Sequence, residues 1–253
     1  MAGHRPGQLT PGYGKGMISD LGHCAAASVT GQVRERNEDS AYVGWRLQAV
    51  ADGLGGHPGG DLASAAAIRA LARYDEPAAE GQDPEQTLRQ AFAAAAEAVA
   101  KAAGAQPDLA SMATTLTALL WSDGRVVLGH IGDSRAYRLR DGKLIQLSRD
   151  HVTEIPVFGS VMTRCIGAGS DEGPDITGHD ARPGDRWLLC SDGLYGVVSD
   201  AGIRKVLRAG TPAAAVGQLL ERADAAGSPD NVTVIVIDDP VGTGTAILGA
   251  AGS

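Results

Sequence analysis

The stretch TTLTALLWSDGRVVLGHIGDSRAYRLRDGKLIQL, residues 114–147, decides the fold. Four apolar or alternating runs follow one another: Thr114 to Trp121, Arg125 to Ile131, Ser134 to Arg140 and Lys143 to Leu147. Asp123-Gly124 joins the first two and Asp141-Gly142 the last two. A two-residue Asp-Gly loop supplies the left-handed backbone that a tight hairpin turn needs. Strands joined so closely must pair antiparallel. The segment is therefore a meander and not a βαβ series. Gly132-Asp133 interrupts it. An unpaired carboxylate there would be costly to bury, so Asp133 faces either water or a cation.

The same dipeptide recurs as Asp52-Gly53 and Asp192-Gly193, and these two behave differently. The apolar run Leu47 to Ala51 ends on Asp52, glycines follow, and Asp61 to Tyr74 then carries apolar residues at helical spacing. The short apolar run Arg186 to Cys190 ends in Ser191-Asp192-Gly193. Short helices are predicted after it over 194–198, 200–208 and 212–225, the last capped by Thr211. An acid closing a buried strand, beside glycines that admit a close backbone approach, suits a cation or a phosphate. A plain strand-ending turn is the alternative.

Further strands are predicted over 23–29, 40–51 and 232–237. Asp83-Pro84-Glu85-Gln86 reads as a capping box with Pro at the first helical position, opening a helix that runs to about Ala103. The charged segment Val33 to Ser40 is a loop beside the Asp52 strand. Residues 149–185 are loop-rich. Residues 1–20 read as a disordered arm, 21–239 as one domain and 240–253 as a disordered tail.

The chain has 253 residues, of which 43% are hydrophobic, enough to enclose a core. Its net charge of -8 argues against binding a nucleic-acid backbone, and 4% aromatic residues argue against base stacking. The three cysteines, Cys24, Cys165 and Cys190, form neither a disulfide framework nor a zinc pattern. No apolar run reaches membrane-spanning length, and residues 1–20 lack a signal-peptide core. The expectation is a cytoplasmic protein.

Asp52, Asp133, Asp192 and Asp230 stand at strand ends with no Cys/His set at ligand spacing beside them. Oxygen-only ligands favour hard cations such as Mg²⁺ or Mn²⁺. No Lys-Ser/Thr follows the glycines as a phosphate loop requires, and Pro58 breaks the dinucleotide pattern. Ser191 lacks the flanking glycines of a nucleophile elbow. Carboxylates around two cations would activate a water for in-line attack on phosphorus.

Five segments then appear in order: Val33-Arg34-x-x-Asn37-Glu38-Asp39, Asp52-Gly53-Leu54-Gly55-Gly56-His57, Gly132-Asp133-Ser134-Arg135, Cys190-Ser191-Asp192-Gly193-Leu194 and Pro229-Asp230-Asn231-Val232-Thr233. Together, over residues 22–238, they resemble the bacterial branch of the metal-dependent serine/threonine protein phosphatases, the type 2C family. The resemblance implies an α+β fold, two antiparallel sheets packed as a sandwich with helices on both outer faces. It implies hydrolysis of phosphoserine and phosphothreonine in proteins by a hydroxide bridging two tightly bound Mn²⁺ or Mg²⁺ ions. Asp52 would bridge the ions, the Gly53 carbonyl would bind one, and Asp192 and Asp230 would complete the other. Asp133 would help Asp192 hold a third, weaker ion. Arg34 would hold the substrate phosphate, His57 would protonate the leaving alkoxide, and Glu38 and Asp39 would act through water or Arg34. Asn231 would orient the Asp230 loop. Phosphoproteins, with a serine/threonine kinase and its targets, would be the partners of a monomer that binds neither nucleic acid nor membrane.

The chain departs from the family in having Leu54 for Met, Ala113 for Gly, and a shortened flap near 150–165. Two other readings stay open. One is a catalytically weak phosphopeptide-binding module on the same fold. The other is a two-metal phosphohydrolase acting on small molecules.

Overall fold

The computed structural model describes residues 7–8, 17–54, 59–76, 82–155, 159–167, 172–238 and 245–252. Two large antiparallel sheets dominate. One runs in the order Gly7–Gln8, Met17–Asp20, Cys24–Val29, Val232–Ile237, Arg186–Cys190, Arg135–Arg140, Lys143–Gln146. The other runs Asp175–Asp180, Arg125–Ile131, Leu116–Ser122, Leu47–Asp52, Asp39–Val43, Ala246–Gly249. The meander is present, but it is shared: its first two strands lie in one sheet and its last two in the other. The chain changes sheets at Gly132, whose φ of 107° turns it through the gap. Both Asp-Gly turns have positive φ at both residues, 46° and 75° at Asp123-Gly124 and 52° and 72° at Asp141-Gly142. Ser122 pairs with Arg125 and Arg140 with Lys143, as two-residue hairpins require.

Three apolar layers hold the stack together. Helices Gly60–Leu71 and Pro84–Ala105 cover the second sheet, burying Ile68, Leu88 and Phe92 against Leu47, Leu116 and Leu120. Helices Asp192–Tyr195, Asp200–Leu207 and Pro212–Ala225 cover the first, burying Val216, Leu219 and Leu220 with Val234 and Val236. Between the sheets lie Val50, Leu119, Trp121, Trp187, Ile235 and Ile237. Trp121 and Trp187 meet there edge to face, with centroids 5.3 Å apart. A strand buried on both faces favours apolar residues throughout, which is why Val232–Ile237 reads VTVIVI without a polar alternation. The predicted α-β-β-α sandwich is thus the observed one.

Helix ends follow the predicted caps. Asp83 accepts from the Glu85 N–H and Thr211 from the Ala214 N–H, each ahead of a first-turn proline. The short helix after Cys190 begins at Asp192 rather than at Leu194.

Four expectations need correction. The single strand expected over 40–51 is a hairpin, Asp39–Val43 paired antiparallel with Leu47–Asp52, because Gly44 to Arg46 turn the chain back. Residues 17–20, expected in a disordered arm, form a strand on Cys24–Val29, and Gly7–Gln8 pairs with Met17 and Ile18. Ala246–Gly249, expected in a disordered tail, pairs with Asp39–Val43 as the edge strand of its sheet. Met17–Asp20 and Ala246–Gly249 are each only four residues long, MISD and AILG, too short to show a period, and each lies in a Gly-rich neighbourhood. The loop-rich stretch 149–185 contains a hairpin, Val152–Ile155 with Gly159–Met162, and the edge strand Asp175–Asp180. Their residues are mostly exposed and give no periodic signal. Among the described residues, no helix is long and apolar enough to cross a membrane.

Candidate metal centre

Side chains alternate along a strand. Asp52 therefore continues the face of Val50, and Asp39 the face of Ala41 and Val43, all between the sheets. The two carboxylates reach that inner face at one end of the sandwich. Asp192 arrives at the same end, just beyond Cys190, and Asp230 just before Val232. Asp133 comes from the turn that crosses between the sheets. Four predicted acids and Asp39 are thus gathered from segments up to 191 residues apart in sequence, from 39 to 230.

Their electrostatics show the crowding. Burial pushes the Asp52 carboxyl well above the usual range, and Asp39, Asp192, Asp133 and Asp230 push it further. Asp133 rises to about 7 through burial, then Asp192 and Asp150. Asp39, fully enclosed, also rises to about 7 by burial, against the lowering effect of its bonds to Thr233 and Ser191. Asp192 rises by burial and then by Asp230. Burial and neighbouring acids make Asp39, Asp52, Asp133 and Asp192 harder to ionise, with hydrogen bonds and nearby arginines opposing in part, which is how a site built for positive charge looks to its own side chains.

The framework is polar and tightly tied. The Asp52 N–H donates to Thr115 Oγ1 at 2.9 Å, and its carbonyl accepts from the Thr115 N–H at 2.9 Å and Thr114 Oγ1 at 2.8 Å. Gly53 donates to the Glu38 carbonyl at 3.2 Å. A Cβ on Gly53 would collide with the Gly60 and Glu38 carbonyls, so only glycine fits there. Ser191 Oγ donates to Asp39 Oδ2 at 2.7 Å and accepts from the Thr233 N–H at 3.0 Å. A hydroxyl so engaged is a strut and not a nucleophile. Asp39 Oδ1 is buried with no hydrogen-bond partner among the described residues, an orphaned acceptor that a cation would satisfy.

Arg34 lies at the rim and donates to Asp230 Oδ2 at 2.6 Å. The other Asp230 oxygen accepts from the Asn231 N–H at 2.8 Å. Asn231 spans two loops: its Oδ1 accepts from the Glu38 N–H at 2.9 Å and its Nδ2 donates to the Arg36 carbonyl at 3.1 Å. Glu38 is raised by burial and by Asp61, with Arg34 and Arg36 opposing. His57 lies outside the described residues. Among the described residues, no three His, Cys, Asp or Glu side chains converge into a finished cation cage. The acids and the one unpaired oxygen still form an oxygen-only donor set that fits a hard divalent cation.

Sequence reasoning named the acids and missed their supports. Thr114 and Thr115 read simply as strand, and Ser134 and Thr233, though inside the motif segments, show no role there. Tyr195 passes for an apolar helix residue, yet its hydroxyl donates to the Asp133 carbonyl at 3.0 Å.

Residues 33–225 match the family described as Protein phosphatase 2C. The serine/threonine protein phosphatase PstP of Mycobacterium tuberculosis is 43% identical over 229 residues, covering 85% of this chain and 44% of that protein. The chain thus spans less than half the length of that relative. The serine/threonine phosphatase stp of Listeria monocytogenes is 29% identical over 240 residues, covering 85% of this chain and 95% of that one. The crystal structure of the PstP catalytic domain in complex with two manganese ions superposes with a TM-score of 0.77 at 40% identity, covering 89% of this chain and 97% of that one.

Proposed function

The chain belongs to the protein phosphatase 2C family, and from that premise we propose that it hydrolyses phosphoserine and phosphothreonine in proteins with two divalent cations, Mn²⁺ or Mg²⁺. The observation that carries the reading is the gathering of Asp39, Asp52, Asp133, Asp192 and Asp230 at one end of the sandwich, where burial and neighbouring acids raise the pKa of Asp39, Asp52, Asp133 and Asp192. The relative crystallised with two manganese ions supports it. Asp52, the Gly53 carbonyl, Asp192 and Asp230 would hold the two ions, and Asp133 with Asp192 a weaker third. When bound, the cations would supply an activated water and neutralise phosphoryl charge.

The chain's own groups do the rest. Arg34, planar and at the rim, orients the phosphate by a two-pronged contact. In this reading it turns from Asp230 to the substrate. His57 gives a proton to the departing serine or threonine oxygen. Glu38 and Asp39 would act through water or Arg34 beside the acids, and Asn231 fixes the loop that presents Asp230. The catalytic unit takes in the strands Met17–Asp20 and Ala246–Gly249 as well as residues 21–239, and the short strand pair Val152–Ile155 and Gly159–Met162 belongs to its trimmed flap. We place the protein in the cytoplasm as a monomer, opposite a serine/threonine kinase.

The test is turnover of phosphoserine and phosphothreonine peptides, p-nitrophenyl phosphate and a nucleotide and sugar-phosphate panel. Peptide hydrolysis that vanishes with chelator and returns with Mn²⁺ is expected. Full activity in excess EDTA, or restoration by Zn²⁺ alone, would sink the reading. Preference for a small phosphate would make the chain a small-molecule phosphohydrolase. Binding without turnover would make it a phosphopeptide module.

A further inference from the structure

A closed circuit of contacts surrounds the Asp133 turn. The Gly132 N–H donates to His151 Nδ1 at 3.0 Å, and the Gly132 carbonyl accepts from the His151 N–H at 2.8 Å. Asp150, next in the chain, takes two prongs of Arg135, the shorter being Nη2 to Oδ2 at 2.7 Å. The Arg135 guanidinium lies 3.6 Å from the centroid of the Tyr195 ring, flat-on contact for a cation and an aromatic face. Tyr195 then returns to the start by donating its hydroxyl to the Asp133 carbonyl at 3.0 Å. Ser134 is pinned independently, its Oγ 2.9 Å from Thr115 Oγ1 and its carbonyl accepting from Thr117 Oγ1 at 3.0 Å.

Tyr195 differs from the other members of the circuit in where it stands. It is the last residue of the one-turn helix that Asp192 begins. Its hydroxyl thus links the segment bearing Asp192 to the turn bearing Asp133 just beyond the point where the ladder between their strands ends, at Cys190 opposite Arg135. The link is made to backbone, so it fixes where the Asp133 turn sits while leaving the carboxylate free.

We propose that Tyr195 is a positioning residue that holds the Asp133 turn at the separation from Asp192 at which the two carboxylates share a weakly bound divalent cation. The inference rests on the third-cation part of the proposed function. A weak site built from two carboxylates and water has little ligand energy to spare. A restraint that acts beyond the last ladder pair, where the two protein ligands leave their strands, therefore shows in its affinity. The two tight sites do not use Asp133 and are indifferent to it.

Tyr195→Phe removes the hydroxyl and keeps the ring under Arg135. Bound Mn²⁺ is counted by water-proton relaxation, which needs no turnover, beside a titration of rate against Mn²⁺. Wild type is expected to fill two tight sites and then a weak one, with rate following the weak phase. In Tyr195→Phe the tight sites stay as they were, and the Mn²⁺ concentration for half-filling the weak site rises about five-fold, the worth of one neutral hydrogen bond. Rate at saturating Mn²⁺ returns to the wild-type value. On an Asp133→Ala background the Tyr195 change has no further effect. The proposal is overturned if the weak phase is unmoved, or if tight and weak sites weaken together as a general loosening would make them. If wild type itself shows no weak phase, the third cation falls and the role of Tyr195 with it. That outcome is told apart by the wild-type titration alone.

Discussion

Asp39 and Asp52 stand directly opposite one another in the pairing of strands Asp39–Val43 and Leu47–Asp52. Like charges at facing positions of an antiparallel pair repel, and here both groups are buried in the site. The strand ends are held together by the ladder and by the Thr114 and Thr115 bonds against that repulsion. Asp39→Asn should therefore raise the stability of the metal-stripped protein, by ~1 kcal/mol or a few degrees in melting temperature. The same change should weaken cation binding. Melting with EDTA and with Mn²⁺ reads both effects, which should have opposite signs. A variant less stable in EDTA than wild type would show that the facing acids are not strained.

Asp52→Asn keeps the shape and removes the charge. Turnover should fall at least a hundred-fold, about 2.7 kcal/mol of barrier, without unfolding. Steady-state rate beside circular dichroism decides. A rate within about ten-fold of wild type would remove Asp52 from the cation site.

Arg34 pairs with Asp230 at the surface, where an ion pair adds little to stability. Arg34→Ala should leave the melting temperature almost unchanged. It should raise the Michaelis constant more than it lowers turnover, because a ground-state phosphate contact is lost. A fall in turnover at constant Michaelis constant would place Arg34 on the transition state instead.

His130 offers a pH signature away from the acids. It is buried, 2.9 Å from Thr117 Oγ1 through Nδ1 and 3.0 Å from the Arg149 carbonyl through Nε2. Burial, and then the neighbouring His151, pull its pKa down to about 4, against the Arg149 carbonyl, Asp150 and Asp175. The folded state thus resists a proton that the unfolded chain accepts near pH 6.5. Stability from this group is full above about pH 6.5 and is lost as pH falls towards 4. Between pH 7 and pH 5 the loss should be about 2 kcal/mol. His130→Gln should lack that part of the pH dependence. Denaturant melts of both proteins at the two pH values measure it, and parallel losses would refute the assignment.

The strands and the acids were legible for different reasons. Val232–Ile237 and Leu116–Ser122 announce themselves because a strand buried on both faces is apolar or β-branched at nearly every position. Asp123-Gly124 and Asp141-Gly142 fix antiparallel pairing through local backbone alone. Neither signal shows that the meander is split between two sheets, because that depends on Gly132, one residue with a positive φ. Asp52 and Asp192 stood out because they end apolar runs where a turn residue alone would suffice. Tyr195 and Thr115 did not, because a hydroxyl's partner is set by the fold and not by its neighbours in sequence. The short strands Met17–Asp20 and Ala246–Gly249 were invisible for a third reason: four residues are too few to show a period.

The last of these strands has a consequence for the order of events during synthesis. Ala246–Gly249 closes the edge of its sheet alongside Asp39–Val43, and Gly249 lies too close to the Asp39 carbonyl to carry a side chain. Ala251 then donates its N–H to Ser40 Oγ. Partners some 200 positions apart cannot meet until the chain between them has left the ribosome. Until then the Asp39 strand presents an open ladder that another nascent chain could occupy. The last part of the sheet to be translated is thus the part that shields one of its earliest strands.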